Sequence, residues 1–197
     1  MEIVLATGNQ GKVREIQQVL SDLGITIQPQ SVYDVPEAEE TGLSFVENAI
    51  IKARNAAKHT GLPAIADDSG IEVDFLKGQP GIYSSRFAGV DASNQENNTK
   101  LLNALKGVKS ENRQARFQCI IVYLKHETDP TPQIFQGTWE GSIAESASGT
   151  QGFGYDPLFI VPGYHCSAAE LPADTKNRIS HRGQALLKLK TTLTTEY

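Results

Sequence analysis

The chain has no apolar run approaching the roughly 20 residues needed to cross a bilayer, and it contains only two cysteines, Cys119 and Cys166. Two cysteines make no disulfide framework, and neither sits at metal-ligand spacing. Positive charge is also scarce: 18 Lys and Arg against 23 Asp and Glu leave a net charge of -5. That balance excludes a basic surface for a nucleic acid polymer, whereas a small anionic ligand needs only a local cluster of cations. Three common catalytic signatures are missing as well. There is no Gly-x-Ser-x-Gly nucleophile elbow, no GxGxxG turn followed by an acidic ribose ligand, and no Walker A loop. No basic-then-apolar leader opens the sequence, so the expectation is a cytoplasmic protein with reduced thiols and no membrane contact. With 197 residues, 39% hydrophobic and 21% charged, a single globular domain over 1–197 is expected.

What the sequence does contain begins with Thr7-Gly8-Asn9-Gln10-Gly11-Lys12, set between an apolar strand signal (Ile3 to Ala6) and an amphipathic helix over 11–23. A strand, a glycine-containing turn and a helix present backbone N–H groups to an anion. Lys12 in the first turn opposes the helix dipole unless something negative lies there, at about 0.3–1 kcal/mol. An ordinary strand-to-helix turn with a solvated lysine fits the same residues, so the turn alone does not decide.

A strand follows near 25–32, then a helix over 45–59 that opens with the capping pair Ser44 and Glu47. A short strand, 63–66, is expected to end in a turn at Asp67-Asp68-Ser69-Gly70. After it, Ile71, Val73 and Phe75 alternate with Glu72 and Asp74 as a half-exposed strand. Residues 78–88 read as a loop, 93–106 as a helix with a second capping pair (Ser93, Glu96), and 115–124 as a strand. A meander is expected over 133–139 and 141–145, a glycine-rich loop over 149–156, a strand over 158–161 and a last helix after Ser180. Helices interleave with strands and hairpin-like stretches also occur, so the fold is α/β with a mixed sheet.

Several groups carry chemistry. Asp67 and Asp68 end an apolar strand, where ligands sit in open α/β sheets, although a turn-forming Asp pair reads the same. Glu39 and Glu40 form a second acidic pair, and hard oxygen ligands of this kind suit Mg²⁺, which takes one or two carboxylates with water and phosphate. Glu47 is assigned to the helix cap. Lys52 lies off the apolar face of its helix, either solvated or contacting phosphate. In Gly152-Phe153-Gly154-Tyr155-Asp156-Pro157 two glycines flank an aromatic ring; it is either a tight turn or a place where Phe153 stacks on a base. Ser180-His181-Arg182-Gly183 repeats the conflict seen at Lys12, with cations in a first helical turn and Lys176 and Arg178 just before it. Conflicts of this kind mark sites.

Taken in order, Thr7-Gly8-Asn9 with Lys12, Glu39-Glu40-Thr41-Gly42, Phe45 with Glu47-Asn48-Ala49 and Lys52, Ala66-Asp67-Asp68-Ser69-Gly70, the Gly152–Pro157 segment and Ser180-His181-Arg182-Gly183 resemble the inosine/xanthosine triphosphate pyrophosphatase family of the bacterial RdgB type. The resemblance spans essentially the whole chain. It implies hydrolysis of dITP, ITP and XTP to monophosphate and pyrophosphate, with Mg²⁺ as cofactor. It also implies a homodimer and a long curved mixed sheet flanked by helices, with a cleft between two lobes. By the same resemblance Asp68 is the general base and holds Mg²⁺ with Glu40. Thr7, Gly8, Asn9, Gln10, Gly11, Lys12 and Lys52 hold the triphosphate beside Ser69, and Phe153, Gly154, Tyr155, Asp156, Lys176, His181 and Arg182 hold the base. Donors from His181, Arg182 and Lys176 would pair with a 6-keto oxygen and leave adenine's amino group unmatched, a mismatch worth roughly 10⁴–10⁵ in specificity.

Two alternatives stay open from the residues. One is a Maf-like pyrophosphatase acting on modified pyrimidine nucleotides. The other is a nucleotide-binding sensor that uses the same residues without turnover.

Overall fold

The computed structural model describes residues 2–196. One seven-stranded sheet runs in the order β2-β1-β3-β4-β5-β6-β7. β1 (Glu2–Leu5) is parallel to both β2 (Thr26–Pro29) and β3 (Ala64–Val73). β4 (Gln114–Leu124) follows, and β5 (Gln133–Ile143), β6 (Phe159–Val161) and β7 (Cys166–Ser167) are successively antiparallel. The sheet is therefore mixed, as the interleaved sequence pattern implied. The helices are α1 (Gln10–Leu20), α2 (Phe45–Thr60), α3 (Asn94–Ala104), α4 (Ala173–Ile179) and α5 (His181–Glu196).

The chain divides into two compact units. The first comprises Met1–Asp68, Cys119–Gly137 and Arg182–Tyr197. Its strand β1 is apolar on both faces because helices cover both. Ile3 and Leu5 pack with Val13 and Ile16 of α1 and with Leu186 and Leu189 of α5. Val4 and Ala6 pack with Ala49, Ala53, Ala56 and Ala57 of α2. Each fully buried Ile or Leu side chain contributes about 1.5–3 kcal/mol, so the two layers fix where the helix starts lie. α2 is capped by Ser44 and stopped by Gly61 at φ 69°, a left-handed conformation that glycine adopts without a Cβ penalty.

The second unit comprises Ser69–Gln118 and Thr138–His181. Its core holds Leu101 and Leu105, where α3 ends, around an aromatic group of Phe117, Trp139 and Phe159. α3 begins with the complete Ser93/Glu96 capping box that the sequence predicts.

Two expectations need correction, and one helix is unforeseen. The segment Asp67-Asp68-Ser69-Gly70 is not a turn: β3 continues through it to Val73. The carboxylates that suggested a turn are instead neutralised by cations from other elements, which lets acidic residues occupy a buried strand. The meander over 133–145 is one strand, β5. Residues 173–179 form a separate short helix ahead of α5, too brief to show helical periodicity.

Candidate active site

Successive strand residues point to opposite faces, and this separates the two aspartates of β3. Asp67 shares the face of Ile65, toward α1 and α5, whereas Asp68 shares the face of Ala66, toward α2. Asp67 is wholly buried. Its Oδ1 is paired with the Lys12 ammonium, while Oδ2 accepts from Arg182 Nε and from the Cys119 thiol, both at 3.0 Å. Arg182 in turn donates to Glu15 Oε2 at 2.5 Å. Burial alone would raise the Asp67 carboxyl, but Arg182 and Lys12 outweigh it and hold it well below the usual carboxylate range. Burial, reinforced by Asp67, pushes the Cys119 thiol well up, so it remains a neutral S–H donor.

Asp68 meets a different cation. Lys52 of α2 donates to Asp68 Oδ1 at 2.6 Å and lies 3.0 Å from Glu40 Oε1. Here burial wins: it pushes the Asp68 carboxyl above its ordinary value despite the pull of Lys52 and Lys12. For Lys52 the balance is reversed, because Asp68 and Glu40 together exceed the burial effect and raise its ammonium. The second oxygen, Asp68 Oδ2, is buried and has no hydrogen-bond partner among the described residues. A buried, partnerless carboxylate oxygen is costly, and it is a hard donor of the sort a divalent cation or an attacking water would engage. No group of three or more His, Cys, Asp or Glu side chains poised to hold a metal occurs among the described residues.

The N-terminal turn carries hydrogen bonds of its own. Asn9 caps α1, its side-chain oxygen accepting from Gly11 N at 2.9 Å and Lys12 N at 3.2 Å, while Thr7 Oγ1 accepts from Asn9 N at 3.1 Å. Those amides are thus engaged within the turn itself. The negative group demanded opposite Lys12 is supplied by the protein, as Asp67.

In the second unit a separate group forms around the Gly152–Pro157 turn. Gly152 and Gly154 have φ of 76° and 62°, and a side chain at Gly152 would collide with the Asp156 carboxylate. Asp156 Oδ2 accepts from Phe153 N at 2.8 Å and from Lys176 Nζ at 2.7 Å. The same ammonium lies 5.1 Å from the centre of the half-buried Phe153 ring, within cation–π range. Tyr155 is turned into the core, where its hydroxyl donates to the Ser84 carbonyl at 2.7 Å, and Asn98 donates to the Gly154 carbonyl. His181 is 4% exposed. Its ring stacks on Phe117, with centres 4.6 Å apart and planes 10° apart, and more distantly on Trp139.

The expected site residues therefore fall into two sets. Thr7 to Lys12, Glu40, Lys52, Asp68 and Arg182 lie in the first unit; Ser69, Phe153 to Asp156, Lys176 and His181 lie in the second. Within the first, Lys12 and Arg182 meet at Asp67, and Glu40 and Asp68 meet at Lys52. Sequence reasoning missed Glu15, Cys119, Phe117 and Trp139. Glu15 had one usable signal, its place one turn beyond Lys12 on the same helix.

Three comparisons bear on this chain. The family model described as the Ham1 family matches residues 3–192. A dITP/XTP pyrophosphatase of Thioalkalivibrio sulfidiphilus is 63% identical, aligned over 94% of this chain and 95% of its own length. One from Escherichia coli O157:H7 is 59% identical over 94% of each. Among solved structures, a HAM1 protein from Coxiella burnetii superposes with a TM-score of 0.92 at 52% identity, covering 99% of both chains.

Proposed function

This chain belongs to the Ham1 family, and from that premise we propose that it hydrolyses non-standard purine nucleoside triphosphates (dITP, ITP, XTP, dXTP) to the monophosphate and pyrophosphate. The names of the curated relatives support this reading, dITP/XTP pyrophosphatases at 59–63% identity. The observation that carries it is Asp68: a buried carboxylate with one oxygen held by Lys52 and the other left without a partner among the described residues.

The first unit's cations take the triphosphate, with Lys12 and Lys52 compensating its charge beside the Thr7–Lys12 turn. Phosphoryl transfer depends on placement and charge neutralisation more than on covalent chemistry. Asp68 orients a water toward the α-phosphorus and accepts its proton. Its carboxyl would be kept ionised, and able to accept that proton, by a divalent cation beside it. Lys52 holds Oδ1 so that Oδ2 is presented in one orientation. Asp67, kept ionised by Arg182 and Lys12, positions the Lys12 ammonium.

A divalent cation fits these residues, because Asp68 Oδ2 and the Glu40 carboxylate are hard oxygen donors and Mg²⁺ commonly takes only one or two carboxylates. Asp68 and Glu40 would hold Mg²⁺, which when bound would supply charge compensation to the phosphates. The residues assigned to the base are Phe153, Lys176 and His181. Phe153 stacks on it, Lys176 is oriented by Asp156, and His181 is held by Phe117 and Trp139. The protein works as a homodimer in the cytoplasm under this reading.

The test is a nucleotide panel read by pyrophosphate release with Mg²⁺ present. Preference for dITP and XTP supports the proposal. Preference for dUTP or a methylated pyrimidine triphosphate would favour a Maf-like activity, and tight ITP binding without turnover would favour a sensor.

A further inference from the structure

We infer that Asn48 is the positioning residue that sets Glu40 at the metal site, an inference that rests on the proposed assignment of Glu40 as a metal ligand. The buried positions of α2 are Asn48, Ala49, Ala53, Ala56 and Ala57. Four of the five are alanines, the side chain that simple packing of this helix against the sheet requires. Asn48 departs from them although it is wholly buried. Its Oδ1 accepts from Gly42 N at 2.8 Å, but its Nδ2 has no hydrogen-bond partner among the described residues. Burying half an amide without a partner is costly. Where alanine would pack, the carbonyl half accounts for the residue.

Gly42 shows the same contact from the other side. A Cβ there would lie 2.7 Å from Asn48 Oδ1 and 2.6 Å from Glu47 Cβ, so the segment is pressed directly onto the first turn of α2. Glu47 adds a second grip, its Oε2 accepting from Leu43 N at 2.9 Å and from the Ser44 hydroxyl at 2.7 Å. Consecutive residues of α2 thus hold consecutive backbone N–H groups just after Glu40. One turn further along α2, Lys52 contacts both Glu40 and Asp68. The helix therefore carries the registration of the two carboxylates: Lys52 at their charged ends, and Asn48 with Glu47 at the backbone behind Glu40. Groups that orient a ligand from behind are commonly worth 10–100-fold in metal affinity.

The experiment uses Mn²⁺ as probe on the nucleotide-free protein, following loss of the free-ion paramagnetic resonance signal, so that turnover is not the readout. Asn48→Ala is expected to weaken Mn²⁺ binding roughly tenfold or more. Because Asn48 acts through Glu40, the double variant Glu40→Gln/Asn48→Ala should bind no more weakly than Glu40→Gln alone. Wild-type affinity in Asn48→Ala, or additive losses in the double variant, would overturn the inference. Wild-type affinity in Glu40→Gln would instead overturn the assignment of Glu40 itself. Should Asn48→Ala fail to fold by circular dichroism, Gly42→Ala displaces the same segment while leaving Asn48 in place. It should weaken Mn²⁺ binding to a similar extent, and unchanged binding there would equally overturn the inference.

Discussion

Asp67 and Asp68 are consecutive residues of one strand whose carboxylates are claimed by cations from different helices: Lys12 of α1 and Arg182 of α5 at Asp67, Lys52 of α2 at Asp68. The alternation of a strand turns a pair of adjacent acids into two groups with opposite electrostatics. Asp67 is held firmly ionised, with both oxygens engaged by the protein. Asp68 is pushed toward a higher pKa, and its Oδ2 has no hydrogen-bond partner among the described residues.

Asp67→Asn should therefore be a stability mutation. It leaves Arg182 and Lys12 without their shared carboxylate, and removing one partner of a buried ion pair costs about 3–5 kcal/mol. The sign with pH follows from the depressed carboxyl. Its stabilisation is fully present above the unfolded value near pH 4 and is lost as pH falls toward the lower folded value. Urea unfolding of the wild type should show that acid-side loss, and Asp67→Asn should flatten it. An unchanged slope would remove Asp67 from this role.

Asp68→Asn keeps the shape and removes the base. Turnover of dITP should fall by roughly 10²–10⁴, the usual worth of general-base catalysis, while nucleotide affinity by calorimetry stays measurable. Retention of most activity would contradict the assignment.

Phe153→Ala should weaken dITP binding with the fold intact. Base stacking on an aromatic ring is worth roughly 1–3 kcal/mol, so KM should rise tenfold or thereabouts. An unchanged KM means the ring does not contact the base.

His181→Ala should act twice. The ratio of kcat/KM for ITP over ATP should fall, because the proposed donor to the 6-keto oxygen is gone. The melting temperature should also drop, because the ring is stacked on Phe117 inside the second unit. A lowered melting temperature with an unchanged ratio would make His181 purely structural.

The parts of this fold legible in the sequence are those governed by near neighbours. Ser93 with Glu96 and Ser44 with Glu47 mark the helix starts of α3 and α2 because a cap reads residues three apart. The Gly152–Pro157 turn is legible for the same reason: Asp156 bonds Phe153 N, three residues back. What was misread depends on distant partners. The turn expected at Asp67 to Gly70 is strand because Asp67 meets Arg182, 115 positions along the chain, and no local pattern announces that pairing. Likewise the sequence places cations at the starts of α1 and α5, where a helix dipole disfavours them. Their compensation is an internal carboxylate, Asp67, shared between Lys12 and Arg182. Sequence reasoning could find the conflict but not its resolution.

The most direct measurement is the fate of solvent oxygen when dITP is turned over in water enriched in the heavy isotope. If Asp68 activates a water for attack on the α-phosphorus, the label appears in the phosphate of dIMP and none enters pyrophosphate. Label in pyrophosphate, or in released inorganic phosphate with dIDP as co-product, would contradict the account.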